Sequence, residues 1–402
     1  MSPLPRPLRV LLLNERCHLN PLAGGAEVHL FEIFGRIAQA GVEVELLCSG
    51  FEGAAPRDAH RGVVVTRVGS RMSFYAQVPG EVRRRVATGS VDLVVEAHNK
   101  VPFLVPMYAH VPVLVIHHHL HGWTAFRQVS APIAAVSVAL EKLIPWVYRR
   151  VPFLTISKSS KSDLVRRGLR EESVDVVPCG IDHDLFVPAP LAGRPPTVIT
   201  LGRLEPYKRL DLLIAAMQRV VVDVPAAQLV IVGRGQERPR LEALTRRLGL
   251  ENHVTFAGFV SDVRKVALLQ QAALMVQCSE KEGWGLTVTE AYACGTPVVA
   301  RDVPGLSDSV QDGVTGLLVR HGKPAPLAAA ISKLLLDEDR RLEMAASAQE
   351  WSRRFRWDTS ARAVLSAMRC AVGRLAATES LKPAVPSSVV GGRVPLDAGV
   401  LS

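Results

Sequence analysis

Short apolar runs recur along this chain, and each is followed by a stretch with helical spacing. In the first half the runs are RVLLLN (9–14), VEVELLC (42–48), GVVVTRV (62–68), VDLVVE (91–96), VPVLVI (111–116) and PFLTIS (152–157). Several are apolar throughout rather than alternating, the pattern of parallel strands covered on both faces. Between the first two, a helix over 26–40 places Leu30, Ile33, Phe34, Ile37 and Ala38 on one side and stops at Gly41. Further helices are expected over 81–88, 132–150 and 159–168. Strand and helix in regular alternation imply a doubly wound, Rossmann-like α/β domain.

The pattern breaks at PCGIDHDLFVPAPLAGRPP (178–196), which holds five prolines and reads as a linker. It then restarts: strands are expected at 197–203, 228–233, HVTFAG, LMVQC and PVVA, with helices over 210–222, 237–248, 262–271 and 286–294. The expected organisation is therefore an N-terminal domain (1–177), the linker, and a second domain with closing helices (197–376). The Pro-, Gly- and Ser-rich segment 377–402 is expected to be a disordered tail. Two such domains in tandem face each other across a cleft, and ligands of these sheets bind beyond the carboxyl ends of the strands.

Composition narrows the function. At 48% hydrophobic and 21% charged residues the chain is globular. Its six cysteines (17, 48, 179, 278, 294, 370) form no CxxC pair, so they read as buried thiols of a reducing compartment. No run is long and apolar enough to span a bilayer, and the first strand lacks the cleavage site of a signal peptide, so a cytoplasmic enzyme is expected. The net charge of +10 suits anionic lipid, nucleic acid or a phosphorylated substrate. Nucleic acid is disfavoured: aromatics make up 5% of the chain and no basic motif is interleaved with them.

Four segments can carry chemistry. NPLAGGAE (20–27) places Gly24 and Gly25 between a strand and a helix N-terminus, where backbone can approach an anion; an empty tight turn is the alternative. LGRLEPYKR (201–209) puts Arg203 and Lys208 just past a strand, a cation pair suited to a diphosphate. EGWGLTVTEAYACGTPVVA (282–300) spaces Glu282 and Glu290 by seven residues around a helix start, where they can accept hydrogen bonds from sugar hydroxyls. IHHHLHG (116–122) clusters histidines after a strand, but it has neither a Cys partner nor HExxH, so no metal site is expected.

Taken in order, GGAE, VIHHHLHG, TISKSSKSDL, VVPCGID, LGRLEPYKR, LVIVGRG, VTFAGFV, EGWGLTVTEAYACGTPVVA and DGVTGLLV resemble the retaining glycosyltransferases of family four. The resemblance covers about residues 8–370 and is most specific in the C-terminal half. It implies a GT-B fold, a nucleotide-sugar donor such as GDP-mannose or a UDP-sugar, a hexose transferred to a glycan or lipid-linked hydroxyl, and no cofactor. It further implies that Arg203 and Lys208 bind the donor diphosphate, that Glu282 touches the donor sugar with Gly283, Trp284, Gly285 and Leu286 around it, and that Glu290 holds the ribose. Gly24 and Gly25 would approach the β-phosphate or the acceptor, and His118 would be the N-domain catalytic histidine, with His117 the register alternative. Cys179 and Trp284 depart from the residues usual in the family without removing a charged group. The rival readings are a GT-B sugar-nucleotide epimerase, a glycan phosphorylase and a non-catalytic carbohydrate-binding scaffold. A last expectation concerns APIAAVSVALEKLIPWVYRR (131–150): its apolar residues, with Trp146, Tyr148, Arg149 and Arg150, would lie against an anionic membrane surface, helped by Arg83, Arg84 and Arg85.

Overall fold

The computed structural model describes residues 6–99, 101–118 and 131–380, with backbone alone for 131–134 and 375–380. The first set of apolar runs forms an eight-stranded sheet: β1 (Arg9–Leu13), β2 (Glu43–Ser49), β3 (Arg57–His60), β4 (Val63–Val68), β5 (Leu93–His98), β6 (Val113–His117), β7 (Phe153–Thr155) and β8 (Val174–Val176). Its order is β3-β4-β2-β1-β5-β6-β7-β8, parallel except for β3, which runs antiparallel to β4. The second set forms a six-stranded parallel sheet ordered β11-β10-β9-β12-β13-β14. Its strands are β9 (Thr197–Leu201), β10 (Gln228–Val232), β11 (Val254–Gly258), β12 (Leu274–Gln277), β13 (Val298–Arg301) and β14 (Gly316–Val319).

Helices cover the faces of both sheets. The first unit carries α1 (Gly25–Gln39), α2 (Phe74–Ala87), α3 (Ala131–Val147) and α4 (Lys158–Arg166). The second carries α5 (Leu210–Asp223), α6 (Arg238–Arg247), α7 (Asp262–Gln271), α8 (Leu286–Ala293), α9 (Leu306–Ser309), α10 (Pro324–Leu336) and α11 (Glu338–Ser352). Period-two alternation explains why strands apolar throughout are needed. In β1, Val10 and Leu12 pack with Phe34 of α1, while Leu11 and Leu13 pack with Phe74 and Val78 of α2.

Three features depart from the sequence reading. Strand β3 has the sequence RDAH, which carries no apolar run; it is an edge strand, where charged residues are tolerated because one side lacks a neighbour. Helix α2 starts at Phe74, not 81, because it accommodates Pro79 at the loss of one backbone hydrogen bond. The closing helices do not all belong to the second unit. The last helix, α12 (Trp357–Ser380), returns to the first and packs on α1, with Arg36 bonded to Asp358 at 2.7 Å. It also runs past 376 to Ser380, into the segment expected as a tail; residues 381–402 lie outside the described residues.

The chain thus crosses between the units twice, and the crossings are fastened together. Ile181 donates its amide to Phe355 O at 3.1 Å, and Ser360 Oγ donates to Pro178 O at 2.7 Å. Strand order reverses between β1 and β5 in one sheet and between β9 and β12 in the other. The loops after β1, β9 and β12 carry the glycine turn, the cation pair and the E-x7-E segment, so these segments meet at two facing switch points.

Candidate active site

The loop after β9 turns through Gly202 and Arg203 into a short 3-10 turn, Pro206–Lys208, and enters α5 through Arg209, a non-glycine residue at φ +52°. This brings the Lys208 ammonium to Glu282, 2.5 Å from Oε1, and 5.3 Å from the centre of the Tyr207 ring. Arg203 donates to the Tyr207 hydroxyl at 3.2 Å. Burial opposes the charge on Lys208, but Glu282 and Tyr207 outweigh it and hold its pKa above the ordinary lysine value. The Glu282 carboxylate is fixed on one side only. Oε1 accepts from Lys208, from Gln277 Nε2 at 3.2 Å and from Ser279 Oγ at 2.6 Å, while Oε2 has no partner among the described residues.

Glu290, about one turn into α8, has the same asymmetry. Its Oε1 accepts from Lys265 Nζ at 3.2 Å, and its Oε2 is buried without a partner. Helix α8 begins at Gly285, which caps it at φ +94°. The amides of Leu286 and Thr287 have no backbone acceptor, leaving positive helix-end charge beside Glu282.

The opposite wall is the glycine turn. Glu27 Oε2 accepts from the Gly24 amide at 2.7 Å, and its Oε1 accepts from Asn14 Nδ2 at 3.3 Å, which fixes the turn at the start of α1. A side chain at Gly24 would lie 3.8 Å from Arg203 Nε, and one at Gly25 would lie 3.2 Å from Leu286. Gly283 is tighter: a Cβ there would sit 2.8 Å from Ile156 Cδ1 and 2.9 Å from His118 O. Ser159 and Asp308 close the seam beside it, with the Ser159 amide donating to the carboxylate at 3.1 Å. Two units thus press a carboxylate, two cations and a helix start against a glycine turn.

This chain matches two family models, "Glycosyltransferase Family 4" over residues 23–185 and "Glycosyl transferases group 1" over 184–351. It is 30% identical to the D-inositol 3-phosphate glycosyltransferase of Nocardia farcinica over 411 aligned residues, covering 91% of this chain and 90% of the relative. The chain is a family-four glycosyltransferase. The phosphatidyl-myo-inositol mannosyltransferase of Mycobacterium leprae is also 30% identical, over 85% of this enzyme and 92% of that one. Among solved structures, sucrose-phosphate synthase of Thermosynechococcus elongatus superposes with a TM-score of 0.76 at 23% identity, covering 91% of this chain and all of the other. The two facing units are therefore the GT-B fold.

Within this glycosyltransferase, Arg203, Lys208 and Glu282 converge with Gly24, Gly25, Gly283, Gly285 and Leu286, and Glu290 lies deeper on α8. Two residues stand differently from expectation. Trp284 is buried edge-on to Phe355, ring centres 5.1 Å apart, so its side chain ties the turn before α8 to the interdomain crossing and only its backbone borders that turn. His118 is buried, and its Nε2 shares a hydrogen bond with His29 Nδ1 at 3.1 Å. Burial, reinforced by His29, His117 and His98, pushes its pKa well below the ordinary value, which favours the neutral ring, and Nδ1 is buried with no partner among the described residues. His117, the register alternative, is the last residue of β6 and is fully buried. The rest of the histidine run, 119–121, lies outside the described residues.

Glu27, Tyr207, Lys265, Gln277 and Ser279 were not singled out from sequence. Glu27 sits in the GGAE motif and follows a turn residue by three, the spacing of a capping box, so a signal for it existed. The other four lacked one. Among the described residues no group of three or more His, Cys, Asp or Glu side chains is placed to hold a metal ion.

Proposed function

We propose that this glycosyltransferase moves a hexose from a nucleoside-diphosphate sugar, GDP-mannose or a UDP-sugar, to a hydroxyl of a lipid or glycan acceptor without a metal ion. The observation that carries this reading is the Arg203–Lys208–Glu282 constellation pressed against the Gly24–Gly25 turn. As the bond from the anomeric carbon to the diphosphate oxygen breaks, negative charge grows on the leaving group. Arg203, Lys208 and the start of α8 stabilise that charge in place, the task a divalent cation performs in other sites. The bare Oε2 of Glu282 accepts from donor-sugar hydroxyls, and Oε2 of Glu290 from the ribose. His118 is the histidine of the opposite wall in this reading, and its buried, unpartnered Nδ1 is the ring atom available to a sugar hydroxyl once the donor is seated.

The acceptor side has its own support. No helix among the described residues is long and apolar enough to cross a membrane. Helix α3, however, exposes Val136, Ala139, Leu143 and Trp146 at helical spacing along one stripe, with Lys142, Arg149 and Arg150 exposed beside it. That surface suits the anionic inner face of the cytoplasmic membrane, visited by a cytoplasmic enzyme to reach a lipid-linked acceptor. The relatives named above act, by their names, on inositol-containing acceptors. The test is a donor panel of GDP-mannose, UDP-glucose and UDP-N-acetylglucosamine scored by nucleoside diphosphate release in EDTA. It is run with inositol phosphate, with phosphatidylinositol and with no acceptor. Acceptor-dependent release in chelator is expected. Release that needs no acceptor, or that chelator abolishes and one divalent ion restores, overturns the reading.

A further inference from the structure

Glu290 is a buried carboxylate with one oxygen paired and the other bare, and the pairing comes from a different helix. Lys265, in the first turn of α7, sits 3.2 Å from Glu290 Oε1 and 3.1 Å from Asp262 Oδ1, and its ammonium lies 4.7 Å from the centre of the Phe186 ring. The lysine is therefore held from three sides and its own freedom is small. We propose that Lys265 is a positioning residue for the donor: by holding Oε1 of Glu290 it fixes the plane of the carboxylate and turns Oε2 toward the two ribose hydroxyls. This rests on the reading above that Glu290 receives the ribose.

Charge supports the geometry. Burial raises the pKa of Glu290 above the ordinary carboxylate value, Asp262 adds to that, and Lys265 is the group that works against it. The other titratable neighbour is Cys294, four residues on along α8, a buried thiol whose own pKa is pushed up to about 12 and which is neutral across the working range. An ionised Glu290 accepts strongly from both ribose hydroxyls; a protonated one keeps a proton on an oxygen that must accept. Donor KM should therefore rise as pH falls through the raised pKa. Without the ammonium that rise should start at higher pH.

The experiment measures donor KM and kcat from pH 5.5 to 8.5 for the full chain and for Lys265→Met, Lys265→Arg, Glu290→Gln and the Met/Gln double variant. Direct binding of GDP and UDP is measured alongside, with their 2′,3′-dideoxy analogues. Lys265→Met is expected to raise donor KM about tenfold, the scale of one charge-assisted hydrogen bond, with kcat within about twofold. Lys265→Arg should recover most of the loss, the Met change should add little in the Gln background, and the dideoxy analogues should not feel it. Additive effects overturn the proposal, as does an unshifted pH profile. A Met variant that discriminates GDP from UDP would mean that Lys265 meets the base instead, which also overturns it. If Glu290→Gln raises KM and Lys265→Met does not, the inference fails and the ribose assignment stands. If Glu290→Gln changes nothing, the ribose assignment itself falls.

Discussion

In the proposed reaction Arg203 and Lys208 carry the charge stabilisation of the leaving diphosphate. Replacing either by Ala is expected to lower kcat by roughly two to three orders of magnitude, as for loss of one transition-state charge stabiliser. The check is steady-state kinetics on folded variants, and near-normal turnover in both would reject the clamp. Glu282→Gln should raise donor KM and lower kcat together, since it frees Lys208 as well as weakening the sugar contact. The histidine pair makes a pH prediction. Burial depresses the pKa of His29 to about 4 in the fold, so the unfolded chain binds its proton first as pH falls. The stability this contributes is fully present above the unfolded histidine value of about 6.5 and is lost as pH falls from there through about 4. His118, displaced in the same direction, adds to the loss. Thermal midpoints measured from pH 7 to 4 should fall less steeply in His29→Gln than in the parent. Equal slopes would mean that the ring is not buried neutral. At this scale the convergence was legible where a charged residue stands past an apolar run, as Arg203 and Glu282 do after β9 and β12. Lys265 was not, because its partner is 25 residues away on another helix and nothing local separates it from a surface lysine.

The helix expected over 132–150 forms as α3, but residues expected together at its outer face are split by the fold. Its apolar residues divide between two faces: Ile144 is buried while Val136, Leu143 and Trp146 face out, Trp146 at 84% exposure. Tyr148, expected at the membrane surface, instead points inward and donates to Glu96 at 2.6 Å, and Glu141 is buried beside Arg167. Arg85, likewise expected at the surface, is buried in ion pairs with Glu45 and Glu81, leaving Arg83 and Arg84 exposed. A stretch apolar all round cannot reveal which face the fold will take, because both faces satisfy the same composition. The outward stripe predicts binding to vesicles containing anionic lipid, weakened by salt, with each well-placed Lys or Arg worth about 1 kcal/mol. Trp146→Ser should weaken it further without changing turnover on a water-soluble acceptor. Co-sedimentation equal for anionic and neutral vesicles would leave α3 as an ordinary solvent face.

The two-unit architecture was legible because the strand-and-helix alternation restarts after the linker, but the return of α12 was not. A helix at the end of a chain carries no mark of which sheet it covers, and its apolar face fits either. That return sets the two crossings side by side, and Gly180 stands between them. A Cβ at Gly180 would lie 2.2 Å from the Trp357 amide nitrogen, inside backbone that has no side chain to yield. Trp357 in turn meets His29 edge-on, with ring centres 5.8 Å apart, and Phe355 packs on Trp284 of the turn before α8. Pushing the crossings apart therefore disturbs the α1–α12 contact and the E-x7-E loop together. Gly180→Ala is expected to cost about 1–3 kcal/mol, the range of overpacking. The midpoint should fall by several degrees, at about 2–4 °C per kcal/mol for units of this size. Donor KM should rise with it, though residue 180 is outside the proposed phosphate clamp. Gly373→Ala is the control: this glycine lies in α12 with open space around it, so alanine there should leave the midpoint unchanged or raise it slightly through helix propensity. Calorimetry and donor titration on the two variants decide the matter. An unshifted midpoint in Gly180→Ala would mean that the crossings are loosely joined and that the cleft walls are set by the Ser159–Asp308 seam alone.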